Sequence, residues 1–272
     1  MICFPNAKIN LGLHIVSRRS DGFHNIESLM LPVAYCDILE IIPDSANTSC
    51  SFSLSGNIPP GDAGENLCVK AFGIMQRQYR TGGVKMHLHK NIAIGAGLGG
   101  GSSDAAFTLI MLNKIFDLQL SDEVLEGHAA ELGSDCAFFI KNKPAIALGK
   151  GNILTLHNIN LKDTYVVLVL PDIHVSTAEA YQHCVPDSTC PSLNSLLSKP
   201  QKEWPQFIKN HFESGIFAKY PQLASIKTEL YRMGAVYAAM SGSGSSVFGI
   251  FRYKPVATSG LDSYRHYTTR IL

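Results

Sequence analysis

The sequence predicts an α+β protein in two lobes, and three observations carry that reading. Strand-like and helix-like segments are mixed without the strict strand-helix-strand alternation of a parallel-sheet protein. A glycine-dense turn, 95 to 101, joins a strand-like segment to a helix-like one. A fresh set of strands and helices begins after residues 155 to 165, which divides the chain into 1–158 and 159–272. Its 272 residues suffice for one large domain or two ordinary ones.

The first half opens with AKINLGLHIV, where Ile9, Leu11, Leu13 and Ile15 alternate with Asn10, Gly12, His14 and Val16. That period of two predicts a strand. RRSDGFHN supplies a turn through Asp21-Gly22. ILEII and NTSCSFSLSG read as further strands, the latter ending at Gly56, followed by the loop NIPPGDAGEN. NLCVKAFGIMQRQY has helical spacing through Leu67, Ala71, Ile74 and Met75. GVKMHLH alternates again, with Val84, Met86 and Leu88 on one face and Lys85, His87 and His89 on the other. After the glycines, Ser102 or Ser103 can cap a helix whose stripe is Ala105, Leu109, Leu112 and Phe116. A second helix begins near Ser121, with Asp122 and Glu123 suiting its dipole, and ends at Gly133 as a left-handed terminator. SDCAFFI follows.

In the second half, TYVVLVL is a continuous apolar run and predicts a strand buried on both faces. STAEAYQHCV reads as a short helix capped by Ser176 or Thr177, and 184 to 206 as the most loop-like stretch of the chain. NHFESGIFAKYPQLASIKTELYRMG predicts two helices split by Pro221, and AVYAAMSGSGSSVFGIF predicts strand, turn and strand.

Composition narrows the function classes. Hydrophobic residues make up 46% and charged residues 17%, and 23 basic against 22 acidic side chains leave a net charge of +1. Such a balance does not draw the molecule to nucleic acid or an anionic membrane. Seven cysteines, at 3, 36, 50, 68, 136, 184 and 190, form no C-x-x-C and read as reduced thiols. No charged leader precedes an apolar run at the N-terminus, and no segment has the length to span a bilayer. A cytoplasmic protein acting on a small molecule is expected, with no nucleic-acid or membrane partner, as a monomer or homodimer.

The chemistry concentrates in IAIGAGLGGGSSDAAF, residues 92 to 107. Closely spaced glycines let backbone N–H groups surround an anion, and a helix N-terminus behind them adds positive potential. Gly95, Gly97 and Gly100 also spell G-x-G-x-x-G, with Asp117 where a ribose ligand would stand. HLHKNIAI is a poor first parallel strand, however, and no apolar strand ends at Asp117, so a nicotinamide cofactor is disfavoured. No G-K-[ST] closes the loop, which excludes a Walker site.

Two further groups suit phosphoryl transfer. Lys8 lies at a strand start among apolar neighbours, and Asp135 follows a helix terminator before CAFFI. Singly they read as a surface lysine and as the N-cap of the next helix. Together a carboxylate that takes or orients a hydroxyl proton and a lysine that stabilises charge form a working pair. SGSGSS, 241 to 246, is a second glycine turn, by itself a hairpin connection. His87 and His89 share a face without a third ligand, and Cys184 and Cys190 give no zinc spacing, so no protein metal site is expected.

Pro-x-Ala-Lys-x-Asn-Leu, Gly-Leu-Gly-Gly-Gly-Ser-Ser-Asp-Ala-Ala and Ser-Gly-Ser-Gly, in that order, resemble the GHMP kinase superfamily. AKINLGLHIVSRRSDGFHNIESLM, ENLCVKA, ELGSDCAFFI and VSTAEAY narrow the likeness to one branch. Its members phosphorylate the 2-hydroxyl of a cytidine diphosphate-linked methylerythritol on the non-mevalonate route to isoprenoid and terpenoid precursors. The resemblance implies a two-lobed GHMP-kinase-like fold with the active site between the lobes, an ATP-binding N-terminal domain, and ATP with Mg²⁺ as cofactor. It implies Lys8 and Asp135 as catalytic residues. ATP would lie against Gly95, Gly97, Leu98, Gly99, Gly100, Gly101, Ser102 and Ser103, with Ser103 near Mg²⁺ and Asn66 and Lys90 about the adenosine. Substrate would meet Asn10, Phe23, His24, Thr177, Tyr181, Gly242, Ser243 and Gly244. Two positions depart from the family pattern: Phe23 replaces a usual Tyr, and Ala93 stands where Pro usually precedes the loop.

Overall fold

The computed structural model describes residues 1–58, 63–161, 163–182, 184–256 and 259–272. In chain order its elements begin with β1 (Ile2–Cys3), β2 (Asn6–Arg18), β3 (His24–Cys36), β4 (Ile38–Asp44), β5 (Cys50–Gly56), α1 (Leu67–Tyr79) and β6 (Gly83–Lys90). There follow α2 (Gly100–Ile115), α3 (Asp122–Leu132), α4 (Phe138–Lys141), β7 (Ala145–Gly149), β8 (Ile153–Leu156), β9 (Tyr165–Leu170) and α5 (Thr177–Gln182). The last are α6 (Leu193–Leu197), α7 (Trp204–Phe207), α8 (Glu213–Lys219), α9 (Pro221–Arg232), β10 (Tyr237–Met240), β11 (Val247–Phe251) and β12 (Arg265–Arg270).

Contacts group these elements into two compact units that are each discontinuous in sequence. One comprises Met1–Ala7, Tyr35–Ile94 and Gly99–Lys143; the other comprises Lys8–Ala34, Gly95–Leu98 and Pro144–Leu272. A single cut at 158 is therefore not how the contacts fall. The cause is a sheet of order β2-β3-β7-β8, which gathers the N-terminal hairpin and the strands after Pro144 into the second unit.

The first unit holds a sheet of order β1-β4-β6-β5, in which β4 runs antiparallel and β5 parallel to β6. Strand β6 alternates as its sequence does: Val84, Met86 and Leu88 are buried, while Lys85, His87 and His89 are exposed. The exposed imidazoles bond to serines across the parallel pair, His87 to Ser53 (2.8 Å) and Ser55 (2.9 Å) and His89 to Ser55 (2.9 Å). Helices α1, α2 and α3 pack on one another, α2 against β4 and α1 against β5. The buried stripe Ala105, Leu109 and Leu112 of α2 is the expected one, whereas Phe116 stands just past the helix as its C-terminal cap.

The second unit adds a sheet of order β10-β11-β9-β12 to the sheet that holds β2. Strand β9 is inside that sheet, with Val166 to Leu170 all buried, which explains an apolar run without alternation. Leu13 and Ile15 of β2, Val167 and Val169 of β9, and Leu223, Ile226 and Leu230 of α9 share one core. Pro221 occupies the first turn of α9, where its missing N–H is not needed.

Several local expectations change. Gly133 has φ 168°, an extended conformation open to any residue, so α3 ends without a left-handed turn. Asp135 does not cap α4, whose N-cap is Ala137 with no side-chain bond. Strands β3, β7, β8 and β12 lie where no strand was expected, and the loop-like stretch contains the short helices α6 and α7. Residues 59–62 of the NIPPGDAGEN loop and His183 at the end of STAEAYQHCV lie outside the described residues. Among the described residues no helix is long and apolar enough to cross a membrane.

Candidate active site

In the first unit, α2 begins earlier than its serines suggested. Gly99 is the N-cap, in the left-handed region at φ 69°, and no side chain bonds to the first turn. Ser102 and Ser103 lie inside that turn, where the Ser103 N–H donates to Gly99 O (2.9 Å). A glycine cap leaves the helix N-terminus uncovered, the arrangement that receives an anionic oxygen. The Ser103 hydroxyl is buried and has no partner among the described residues, so it is poised to accept one.

Asn66 and Lys90 are both engaged within this unit. Asn66 caps α1, its Oδ1 accepting the Cys68 N–H (2.9 Å). Lys90 is buried with its ammonium on two carboxylates, Asp37 and Asp104 (2.7 Å to the latter). Asp135 sits half-buried in the turn between α3 and α4. Next to it Cys136 contacts Ser102, and burial pushes its thiol up to about 11, so it is no nucleophile.

In the second unit the glycine turn threads between two other segments. Gly97 approaches Ser241 so closely that a Cβ would fall 1.9 Å from the Ser241 carbonyl oxygen, and its φ is +76°. Only glycine fits there. The Ser241 hydroxyl donates to Gly97 O (2.9 Å), Ser246 N to Ala96 O (3.2 Å) and Lys8 N to Leu98 O (2.9 Å). Lys8 is buried rather than on the surface, and its Nζ donates to Asn10 Oδ1 (2.5 Å). Asn10 in turn donates to Ser28 Oγ (2.8 Å), whose hydroxyl donates to Gly12 O (2.7 Å). Backbone at Gly242 comes against Asn10, the place of its Cβ lying 3.4 Å from Asn10 Oδ1. Thus Lys8, Asn10, Gly97, Leu98 and Gly242 come together through backbone bonds and close side-chain contacts, while the place of a Cβ on Gly95 lies 3.2 Å from the His174 ring.

A second group in this unit is aromatic. His24 stacks on Tyr181 with centroids 4.5 Å apart and planes 14° from parallel. Burial, with the Arg18 charge behind it, lowers the His24 pKa, which favours the neutral ring that both donates and accepts. Thr177 bonds to the Ser243 hydroxyl (3.4 Å), linking α5 to the second glycine turn. Phe23 is 57% exposed, with Lys150 Nζ 4.7 Å from its ring centroid. Ser28 and Lys150 carry no local sequence signal; Asp104 was present in the loop motif and was overlooked.

One constellation appears that spacing concealed. His14, Cys190 and His211 place their ligand atoms within 4.8 Å of one another. The Ile15 N–H, however, donates to His211 Nδ1 (3.1 Å), which puts the neutral ring's proton on Nε2. A ligating histidine needs the opposite arrangement, its free nitrogen donating outward. The His14 and His211 rings are also stacked, centroids 4.9 Å apart, so their lone pairs do not converge. The cluster reads as packed neutral imidazoles beside a thiol.

The GHMP kinases N terminal domain matches residues 66–143, and the GHMP kinases C terminal domain matches 192–266. A 4-diphosphocytidyl-2-C-methyl-D-erythritol kinase of Azobacteroides pseudotrichonymphae is 49% identical over 261 residues, covering 95% of this chain and 97% of its own. That of Cytophaga hutchinsonii is 48% identical over 256 residues, 94% of each chain. A crystal structure of 4-(cytidine 5'-diphospho)-2C-methyl-D-erythritol kinase superposes with a TM-score of 0.81 at 28% identity, covering 99% of this chain and 98% of its own. The chain belongs to the GHMP kinase family and, within it, to the 4-diphosphocytidyl-2-C-methyl-D-erythritol kinases.

Proposed function

We propose that the enzyme transfers the γ-phosphoryl group of ATP to the 2-hydroxyl of 4-diphosphocytidyl-2-C-methyl-D-erythritol. The observation that carries this is the glycine-capped, uncovered N-terminus of α2 behind a loop in which Gly97 admits no side chain. Phosphoryl transfer depends on alignment and charge neutralisation more than on covalent help from the protein. Gly95, Gly97, Leu98, Gly99, Gly100, Gly101 and Ser102 supply the backbone that holds the phosphates. Ser103, whose buried hydroxyl lacks a partner among the described residues, would help to hold Mg²⁺, which would neutralise charge on the transferring group. Asn66 and Lys90 stand at the adenosine end, one as a helix cap and one as an anchor.

For the acceptor, Asp135 takes or orients the hydroxyl proton and Lys8 favours the developing alkoxide. Asn10 holds the Lys8 ammonium in place. His24 and Tyr181, already stacked, and the exposed Phe23 receive the cytosine, His24 by hydrogen bonds and the rings by their faces. Thr177 with Gly242, Ser243 and Gly244 lines the remaining substrate surface.

An ADP-release assay tests this, with the cytidyl methylerythritol offered beside homoserine, mevalonate and unconjugated methylerythritol. ADP is expected from the cytidyl compound alone. Equal turnover of homoserine or mevalonate would overturn the assigned acceptor while leaving the phosphate loop standing.

A further inference from the structure

Lys90 ends β6, and its side chain turns inward to two carboxylates from separate elements. Asp37 lies in the one-residue link between β3 and β4, and Asp104 in the first turns of α2. Asp37 uses its other oxygen, Oδ1, to accept the N–H groups of Asn91 (2.6 Å) and Ile92 (2.8 Å), the first residues after the strand. Asp37 is itself fixed through its N–H to Pro5 O (2.9 Å). Gly100 completes the fit: the place of its Cβ lies 3.2 Å from Lys90 Nζ and 2.9 Å from Ile92 Cγ2. One ammonium thus ties the strand that enters the glycine loop, the first loop amides, and the helix that leaves it.

We propose that Asp37, Lys90 and Asp104 are positioning residues for the nucleotide, a buried clamp that sets the spacing between the two ends of the glycine loop and thereby the affinity for ATP. The five glycines between 95 and 101 make this stretch costly to order, because glycine loses the most backbone freedom on being fixed. A clamp that holds both ends in the free enzyme removes part of that cost from the binding step. The charge count is consistent with such a role. With burial holding Asp104 towards its protonated form, the one ammonium balances the Asp37 carboxylate and leaves no net negative charge to repel phosphate at the N-terminal end of α2. Without the ammonium, two buried carboxylates would face each other unpaired, and the segment would open to hydrate them. The clamp acts through the backbone it holds, its ammonium and carboxylates being spent on one another and on the Asn91 and Ile92 N–H groups.

This rests on the reading that residues 95–103 hold the ATP phosphates, and the test separates the two. Lys90→Met, which keeps length and removes charge, is examined in the full chain by steady-state kinetics and by amide hydrogen exchange without ATP. KM for ATP is expected to rise at least tenfold, with KM for the cytidyl alcohol within twofold and kcat at saturating ATP within threefold. Exchange at residues 91–104 is expected to quicken while β9 and β11 keep their protection. Unchanged exchange at 91–104 would overturn the clamp. Faster exchange with an unchanged KM for ATP would overturn the phosphate role of the loop, and the effect on affinity with it. A parallel rise in both KM values with a fall in kcat would show a general structural loss and overturn the positioning role. Should Lys90→Met not fold, Asp37→Asn is measured the same way: its amide can serve the ammonium or the loop N–H groups but not both, and the same split is expected.

Discussion

The two glycine turns of this enzyme are held by different forces. Around the first, the flanks are tied by a buried ammonium and two carboxylates. The second, 241 to 246, is held mainly by neutral bonds: Asn210 Nδ2 donates to Met240 O and Gly242 O (2.8 Å each) and Ser241 N donates to Ser246 O (2.9 Å), with the Glu213 carboxylate accepting the Met240 N–H (2.8 Å) at its edge. Ionic anchoring is strong in a low-dielectric interior but sensitive to every proton and charge nearby. Neutral anchoring is indifferent to pH and fails only when a bonded atom is removed. Where the two turns touch, at Gly97 and Ser241, the contact is backbone on backbone and tolerates neither kind of change.

That joint gives the largest expected effect. In Gly97→Ala the new Cβ must displace the Ser241 carbonyl and adopt a left-handed φ at the same time. A fall in kcat/KM of about two powers of ten or more is expected for such a displacement at a site that depends on alignment. Gly127 offers the contrast: it lies inside α3 with nothing within 4 Å of its Cβ position. Gly127→Ala should raise stability by about 0.5–1 kcal/mol through helix propensity. If Gly97→Ala retained normal kcat/KM, the close approach of the two turns would not matter to the reaction.

Next in size is the neutral anchor. Asn210 is buried, and its Oδ1 also accepts the Phe212 N–H (3.0 Å). Asn210→Ala strips two carbonyls and one N–H of their partner at once. Each lost bond to a buried group costs about 1–3 kcal/mol, less where water or relaxation compensates, so a loss of about 2–4 kcal/mol is expected. Urea unfolding at pH 6 and pH 8 should report the same loss at both, since no charge is involved. A loss that changes with pH would mean that the Asn210 bonds depend on the neighbouring Glu213 carboxylate.

Much of this was legible in the residues. Period-two alternation gave β6 and the start of β2, and the apolar run TYVVLVL gave the interior strand β9. The glycine loop announced itself because glycine density is a local signal. What escaped was long-range or masked by side-chain identity. Strand β3 carries Pro32 within it, and β12 has an almost wholly polar, half-exposed sequence, so neither shows a strand pattern. Asp37, Asp104, Ser28 and Asn210 act through partners 14 to 54 residues away, a pairing that no local spacing encodes. Lys90 is the instructive case: the family resemblance places it about the adenosine, while nothing in its local spacing shows that its ammonium meets two carboxylates.

The finest test of the contrast is the sign of the pH dependence. Burial raises the Asp104 pKa towards about 8, with the Asp37 carboxylate adding to the effect and Lys90 opposing it. Asp104 therefore binds its proton more tightly folded than unfolded. Its contribution to stability is complete below the ordinary carboxylate range and is lost as the pH rises towards 8. His14, in the other unit, behaves oppositely: burial, then the neighbouring His211, lowers its pKa to about 4. Its contribution is complete above the ordinary histidine pKa of 6.5 and is lost as the pH falls towards 4. Asp104→Asn keeps an acceptor for Lys90 and removes the titrating proton, so only the alkaline limb should respond. Between about pH 4 and 8 the wild-type urea midpoint should fall relative to that of the variant, by up to about 1.4 kcal/mol per pH unit. Below about pH 4, where Asp104 is protonated folded and unfolded alike, and above about pH 8 the two profiles should run parallel, with the His14 limb common to both. An alkaline decline that persists in Asp104→Asn would move the titration to another group and leave the clamp a purely geometric device.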